Sequence, residues 1–332
     1  MNTNQRRLEK YELQERLAHG SITEVWKALD SQSKRYVAVK LLNTDLRVDP
    51  DFLKRFAREV PLVAALQHPN IVKIHDFQIA RPSESNSPFA YIVMDYIEGP
   101  TLADYIGSTS HIRRFPAPDD IVHLFTYIGM AVDYAHRHEM IHRDLKPANI
   151  LLDKRNTIHN PIGEPILTDF GLAQLLGNSG NTPSSTRIGN ALYTSPEQAM
   201  GSPGNECSDI YSLGVILYEI CTGSLPFKGN TMQAILQQHI KAMPPSPALL
   251  NPGIRPALTM VILRCLAKDP AARFPNCASL TAAVAQAFNL PVPTHLDLTP
   301  YSLDPANEPT YFKPLHSEVP HTSSYEEPIG AT

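Results

Sequence analysis

Ile141-His142-Arg143-Asp144-Leu145-Lys146-Pro147-Ala148-Asn149-Ile150 is the stretch on which the reading of this chain turns. An Asp precedes an Asn with four residues between them, a Lys lies two after the Asp, and apolar residues flank the group. Moving a phosphoryl group needs a carboxylate to orient the attacking hydroxyl, a cation for the phosphate oxygens and a ligand for Mg²⁺. Asp144, Lys146 and Asn149 are side chains of those three kinds. Downstream, Asp169-Phe170-Gly171 places a carboxylate before a glycine, which suits a second and stronger Mg²⁺ ligand.

Bulk properties narrow the alternatives. The 332 residues suffice for about two packed units plus a tail. With 42% hydrophobic and 19% charged residues the composition is globular. A net charge of -4 provides no broad basic field, so no nucleic-acid partner is expected. Cys207, Cys221, Cys265 and Cys277 form no CxxC pair, which points to free thiols in a reducing cytosol. Met1 to Lys10 lacks the apolar core of a signal peptide. No apolar run reaches the ~18 residues of a membrane helix. Ile210 to Ile220 is short, carries Glu219 and reads as a buried helix. A cytoplasmic chain without a transmembrane segment is the expectation.

Together these motifs resemble the protein kinases, and more closely the bacterial Ser/Thr protein kinases that look like eukaryotic ones. The motif set is that family's standard signature, so the match is a recognition. The resemblance implies an α+β, two-lobed protein-kinase-like fold, with a small β-rich N-lobe and a mainly helical C-lobe. It covers residues 8–288: N-lobe 8–94, hinge 95–99 and C-lobe 100–288. Residues 289–332 are dense in Pro and polar side chains and read as a disordered tail, with Thr294, Thr299 and Thr310 as phosphorylation candidates. Tyr301, Tyr311 and Phe312 are its candidates for docking on the body.

Within the N-lobe, the family pattern GxGxxGxV falls on residues 18–25. Gly20 remains, Ala18 and Thr23 replace the other glycines, and Leu17 and Val25 flank the loop. Losing two glycines stiffens the loop, so nucleotide affinity should be altered and binding retained. Tyr36-Val37-Ala38-Val39-Lys40-Leu41 is a strand pattern. By resemblance Ala38 contacts the base and Lys40 holds the α/β-phosphates. A helical pattern over Asp51 to Leu66 (Phe52, Phe56, Val60, Val63) carries Glu59, the expected ion-pair partner of Lys40. Pro61 lies inside that helix, lacks an N–H and crowds the Ala57 carbonyl, so a kink is expected. The kink would make the Lys40–Glu59 pair conditional on the helix being pushed into place. By resemblance Met94 is the gatekeeper, and the backbone of Asp95 and Ile97 hydrogen-bonds the adenine.

His136, His138 and His142 lack ligand spacing and are not read as a metal site. His142 instead resembles the family's packing residue under Phe170. Residues 153–165 form a surface hairpin longer than usual. In the activation segment, Thr182, Ser184, Ser185 and Thr186 are candidate phosphosites, and Arg143 resembles the residue that pairs with such a phosphate. Gly189 to Glu197 matches GTxxYxSPE except at Asn190, where the family has a Thr that bonds both catalytic Asp and Lys. Asp209 in DxxSxG should anchor the catalytic loop, and Arg273 should pair with Glu197.

The implied activity is transfer of the ATP γ-phosphoryl group to protein Ser/Thr hydroxyls, with self-association for autophosphorylation. ATP and Mg²⁺, or Mn²⁺ in its place, are the implied cofactors, with Asn149 and Asp169 as metal ligands. Lys146 after the Asp points away from Tyr substrates. Two other readings stand beside this one. Ala18, Thr23 and Asn190 would suit a pseudokinase, a nucleotide-binding scaffold. A small-molecule kinase fits less well with the SPE, DxxSxG and Arg273 elements.

Overall fold

The computed structural model describes residues 7–20, 23–42, 52–80, 89–112, 114–155, 161–171, 189–294 and 296. Thr182, Ser184, Ser185, Thr186, Thr299, Tyr301, Thr310, Tyr311 and Phe312 lie outside the described residues, as do Ser21 and Ile22 of the phosphate loop.

Among the described residues six strands build the first lobe: β1 Arg7–Leu8, β2 Tyr11–His19, β3 Thr23–Asp30, β4 Tyr36–Leu42, β5 Ile74–Ala80 and β6 Phe89–Asp95. They pair antiparallel in the order β1-β2-β3-β4-β6-β5. Central β4 is apolar on both faces because both are covered. Side chains alternate along a strand, so Val37 and Val39 enter a cluster with Tyr11, Ala28, Tyr91 and Val93. Ala38 and Leu42 enter the opposite cluster with Ile92 and Met94. Lys40 therefore emerges on the Ala38 face.

That face is covered by α1, Phe52–Ala64, which buries Phe52, Phe56 and Val60 on the sheet. Pro61 sits inside α1, yet the element runs through it as one helix. Pro61 and Ala57 are both exposed, so water can serve the carbonyl that the proline leaves unpaired. After α1, the Val72 N–H donates to the Leu167 carbonyl (2.9 Å) and the Leu167 N–H to the Asn70 carbonyl (2.8 Å). This connection ties the first lobe's helix to the strand that precedes Asp169.

The second lobe comprises α2 Leu102–Ser110, α3 Pro118–Arg137, a β7–β8 hairpin (Ile150–Asp153, Glu164–Leu167), α4 Pro196–Ala199, α5 Glu206–Thr222, α6 Met232–Lys241, α7 Pro256–Cys265 and α8 Cys277–Phe288. Thr101 and Asp104 close a capping box on α2. Helix α5 is buried along almost its whole length, consistent with its apolar sequence. A Cβ on Gly214 of α5 would lie 2.3 Å from the Cβ of Cys265, so glycine there lets α5 and α7 touch. The Asp133 carboxylate of α3 accepts from the first N–H groups of α8, at Cys277 (2.8 Å) and Ala278 (2.9 Å). Leu290 and Val292 pack against this core, so packing continues past residue 288.

Helix α6 contributes His239, wholly buried, whose Nδ1 shares a hydrogen bond with the Tyr211 hydroxyl at 2.8 Å. Burial, with the nearby Lys268 ammonium, holds the imidazole down at about 4. The unfolded chain protonates it near its usual value of about 6.5. Neutral His239 thus contributes stability that is complete above that value and is lost as pH falls towards about 4. The urea midpoint should drop across this window, and His239→Phe should flatten the drop. An unchanged pH slope in that variant would count against the assignment.

Candidate active site

The strand-poor stretch 141–149 is held in shape from below by Asp209 at the buried start of α5. Its carboxylate accepts from the His142 N–H (2.9 Å), the Arg143 N–H (2.9 Å) and His136 Nε2 (2.8 Å). Burial pushes this carboxyl up. The His136 bond, both nearby histidines and the His142 N–H outweigh that and keep it below the usual carboxylate range. Arg143 has φ 65°, the left-handed region in which a side chain is strained. Its N–H is fixed by Asp209 and its carbonyl accepts from Gln198 Nε2 at 3.0 Å. His142 packs its ring 4.4 Å from Phe170 and bonds the Thr168 carbonyl at 3.0 Å through Nε2.

Asp144, Lys146 and Asn149 meet on this frame. Lys146 Nζ donates to Asp144 Oδ2 at 2.6 Å. Asn149 Nδ2 donates to the Asp144 carbonyl at 2.8 Å and to its Oδ2 at 3.1 Å. Asp144 Oδ1 takes no hydrogen bond among the described residues. The Thr168 N–H donates to the Asn149 carbonyl at 2.9 Å, bringing Asp169 beside the group. Asp169 is the second non-glycine residue here in the left-handed region, with φ 66°.

The expected Lys40–Glu59 ion pair is not what forms. Lys40 Nζ lies 2.7 Å from Asp169 Oδ1, and Glu59 Oε1 is taken by its neighbour Arg58 at 2.7 Å. The physical reason is competition for a buried cation. The Lys40 side chain is only 9% exposed and must have a counter-charge, and Asp169 meets that need from the end of the β8 segment. Glu59 finds a partner on its own helix. Burial raises the Asp169 carboxyl, but the charge and hydrogen bond of Lys40, with Lys146 beyond, hold it below the usual range.

Asn190 stands where a Thr was expected. Its Oδ1 accepts from Lys146 Nζ at 2.8 Å, and among the described residues it makes no hydrogen bond to Asp144. It reproduces one of the two contacts expected of the Thr hydroxyl: its oxygen accepts from Lys146, while its Nδ2, which could donate, makes no bond to Asp144 in this geometry. Asn190→Thr should therefore raise the phosphorylation rate by restoring the second contact. A slower variant with unchanged nucleotide affinity would show that Asn is the fitted residue.

Above the charged group lies an apolar cleft wall. Ala38, Met94 and Ile97 share one buried cluster, with Val25 packed against it. The Gly20 N–H donates to the Thr23 carbonyl at 2.8 Å, turning the strand end towards β3. Leu17 is 42% exposed on β2. Asp95 ends β6, with its N–H donating to the Lys73 carbonyl.

The residues fit a hard divalent cation. Asn149 spends its Nδ2 on Asp144, which leaves Oδ1 available, and Asp169 spends one oxygen on Lys40, which leaves Oδ2. Two oxygen donors of this kind, completed by phosphate oxygens and water, suit Mg²⁺.

Comparison with known proteins places the chain in a family. A family described as the protein kinase domain matches residues 11–288. The chain belongs to the protein kinase family. Serine/threonine-protein kinase PknB of Mycolicibacterium smegmatis is 40% identical over 284 residues, 85% of this chain and 43% of that protein. Serine/threonine-protein kinase PrkC of Bacillus subtilis is 35% identical over 280 residues, 84% of this chain and 41% of that protein. The chain thus spans less than half the length of these relatives. The crystal structure of the Mycobacterium tuberculosis PknI kinase domain superposes with TM-score 0.66, covering 87% of this chain and all of that one. Its sequence identity of 24% speaks to the fold alone.

The kinase fold also gathers residues that motif reading passed over. Leu151 and Ile166, from the β7–β8 hairpin, join the Ala38–Met94–Ile97 cluster. They close the cleft from the second lobe. The available signal was weak: apolar positions directly after Asn149 and before Asp169 that could equally have been core. Val60, Val63, Ile71, Ile92, Met94 and Phe170 line a small apolar cavity beside Asp169. Among the described residues no helix is long and apolar enough to cross a membrane.

Proposed function

We propose that this chain transfers the γ-phosphoryl group of ATP to Ser and Thr hydroxyls of proteins. The observation that carries the reading is the single hydrogen-bonded cluster of Asp144, Lys146, Asn149 and Asn190, with the Lys40–Asp169 pair beside it. In this reading Asp144 Oδ1 receives and orients the substrate hydroxyl. Lys146 faces the charge on the transferred group, and Lys40 takes the α/β-phosphates when it exchanges Asp169 for them. Bound Mg²⁺, held by Asn149 and Asp169, would supply charge neutralisation at the phosphate oxygens. Ala38, Met94, Ile97, Leu151 and Ile166 would enclose the adenine and exclude water. Catalysis of this kind is positioning and electrostatics, with no covalent role for the protein.

The platform around Glu197 supports protein as the substrate class. Tyr193 donates to Glu219 at 2.6 Å and Ser212 to the Tyr193 carbonyl at 2.8 Å. Glu197 is gripped by Arg273. The 189–197 segment is therefore fixed to the second lobe as a rigid shelf beside the catalytic loop. Autophosphorylation between Gly177 and Ile188 through self-association belongs to the same reading, as does a catalytic body at 8–288 followed by a tail. The free thiols of the four cysteines favour a reducing, cytoplasmic setting.

Glu59 resting on Arg58 favours a second reading, a nucleotide-binding scaffold without transfer. Labelled ATP, Mg²⁺ and a mixture of Ser/Thr-containing proteins separate the two. The proposal expects label on Ser and Thr. Saturable nucleotide binding with no label would leave the scaffold.

A further inference from the structure

The segment between the lobes is gripped from two sides, and the grips leave one residue between them. From the first lobe, Asp95 is paired with His75 of β5 at 2.6 Å, and its N–H donates to the Lys73 carbonyl at 3.0 Å. The ring of Tyr96 receives the Lys27 ammonium of β3 4.5 Å from its centroid. The same ammonium stands 4.6 Å from the Tyr36 ring. Strand register explains the arrangement. Lys27 pairs with Ala38 across β3 and β4, and Tyr36 lies two residues from Ala38 on the same face. Val37 pairs with Asp95, so Tyr96 follows alongside Tyr36.

From the second lobe, the Glu98 carbonyl accepts from the Lys154 N–H at 2.8 Å, and the Pro100 carbonyl from the Leu152 N–H at 2.9 Å. A Cβ on Gly99 would meet the Leu152 carbonyl oxygen at 1.8 Å, so only glycine permits this approach. Residues 95–96 are thus held to the first lobe and 98–100 to the second. Ile97 alone separates them.

We propose that Lys27, clamped between Tyr36 and Tyr96, is a positioning residue for the nucleotide base, acting through the segment between the lobes. The inference rests on the nucleotide-cleft reading above, in which the backbone of Asp95 and Ile97 meets the adenine. A cation between two aromatic faces holds the Tyr96 backbone in one place before the base arrives. The nucleotide then binds a segment already ordered, and the ordering cost is avoided. Release of the clamp should weaken base binding without touching the phosphate-transfer groups.

The test is calorimetric titration of the whole chain with adenylyl-imidodiphosphate and Mg²⁺. Lys27→Met and Tyr96→Leu should each weaken binding about threefold to tenfold. The double variant should lose no more than either single one. Lys27→Arg and Tyr96→Phe, which keep cation and ring, should bind within about twofold of the parent. In turnover assays Lys27→Met should raise KM for ATP and leave kcat in place. Parental affinity in Lys27→Met, or losses that add in the double variant, would overturn the clamp. Absence of analogue binding by the parent chain would overturn the cleft reading, and the clamp with it.

Discussion

Asp144→Asn should reduce phosphoryl transfer by about 10²–10⁴-fold while leaving the fold and nucleotide affinity near the parent's. The side chain keeps its shape, so the Asn149 and Lys146 contacts can be remade to an amide oxygen. What disappears is the negative charge. At present Oδ2 is committed to Lys146 and Asn149, and Oδ1 is the oxygen left to receive a hydroxyl proton. With the amide oxygen on that side, the amide nitrogen stands in place of Oδ1, and an NH₂ group neither accepts the hydroxyl's hydrogen bond nor takes its proton. Because Asp209 holds the loop through the backbone of His142 and Arg143, the loop geometry does not depend on the Asp144 charge. Phosphate release into labelled protein should fall to background with analogue binding intact. Transfer within about tenfold of the parent would show that another group orients the hydroxyl.

Arg273→Ala should cost about 3–5 kcal/mol of stability, the scale for breaking a buried charge pair from one side. The Arg273 guanidinium is fully enclosed. It donates to both Glu197 oxygens at 2.8 Å, and to the carbonyls of Ala267 (2.9 Å), Cys207 (2.8 Å) and Lys268 (3.2 Å). Ser208 adds a 2.6 Å bond to Glu197. Truncation leaves all these acceptors unserved and a carboxylate without its cation. Burial raises the Glu197 carboxyl, but Arg273 and Ser208 bring it down to about 2. With the folded value below the unfolded one, the pair's contribution is complete above the usual carboxylate range and is lost as pH falls towards about 2. A domain's whole stability is about 5–15 kcal/mol, so the loss should appear as a large drop in the urea midpoint. Glu197→Gln with Arg273→Met should recover part of it, since neither charge is then left alone. A midpoint shift corresponding to less than about 1 kcal/mol would place this pair among ordinary surface bridges.

The order of charged residues made the fold legible, because each motif demands side chains of fixed chemistry at a local spacing. Asp144, Lys146 and Asn149 are five residues apart at most, and their meeting needed only a turn. Asp209 and Arg273 are distant, yet each carries a buried charge that can be satisfied in few ways. The partner of Lys40 was not legible in the same manner. Asp169, Glu59 and the competing Arg58 differ in side-chain placement, and the sequence records no such placement. The Lys27 clamp was hidden for a related reason. Tyr36 and Tyr96 become neighbours only through the pairing of β3, β4 and β6. Leu151 and Ile166 were readable as apolar, and only their assembly with Ala38 and Met94 showed which cluster they join. At the C-terminal edge, the end of helical periodicity at Phe288 marked the end of α8 but not of packing, since Leu290 and Val292 still reach the core.

The most direct measurement is a crystal structure of the chain with a non-hydrolysable ATP analogue and Mg²⁺. The account predicts a metal on Asn149 Oδ1 and Asp169, the Lys40 ammonium moved onto phosphate oxygens, and Asp144 Oδ1 open towards the γ-phosphate. Nucleotide bound elsewhere, or bound with Lys40 and Asp169 still closed on each other and no metal on Asn149, would contradict it.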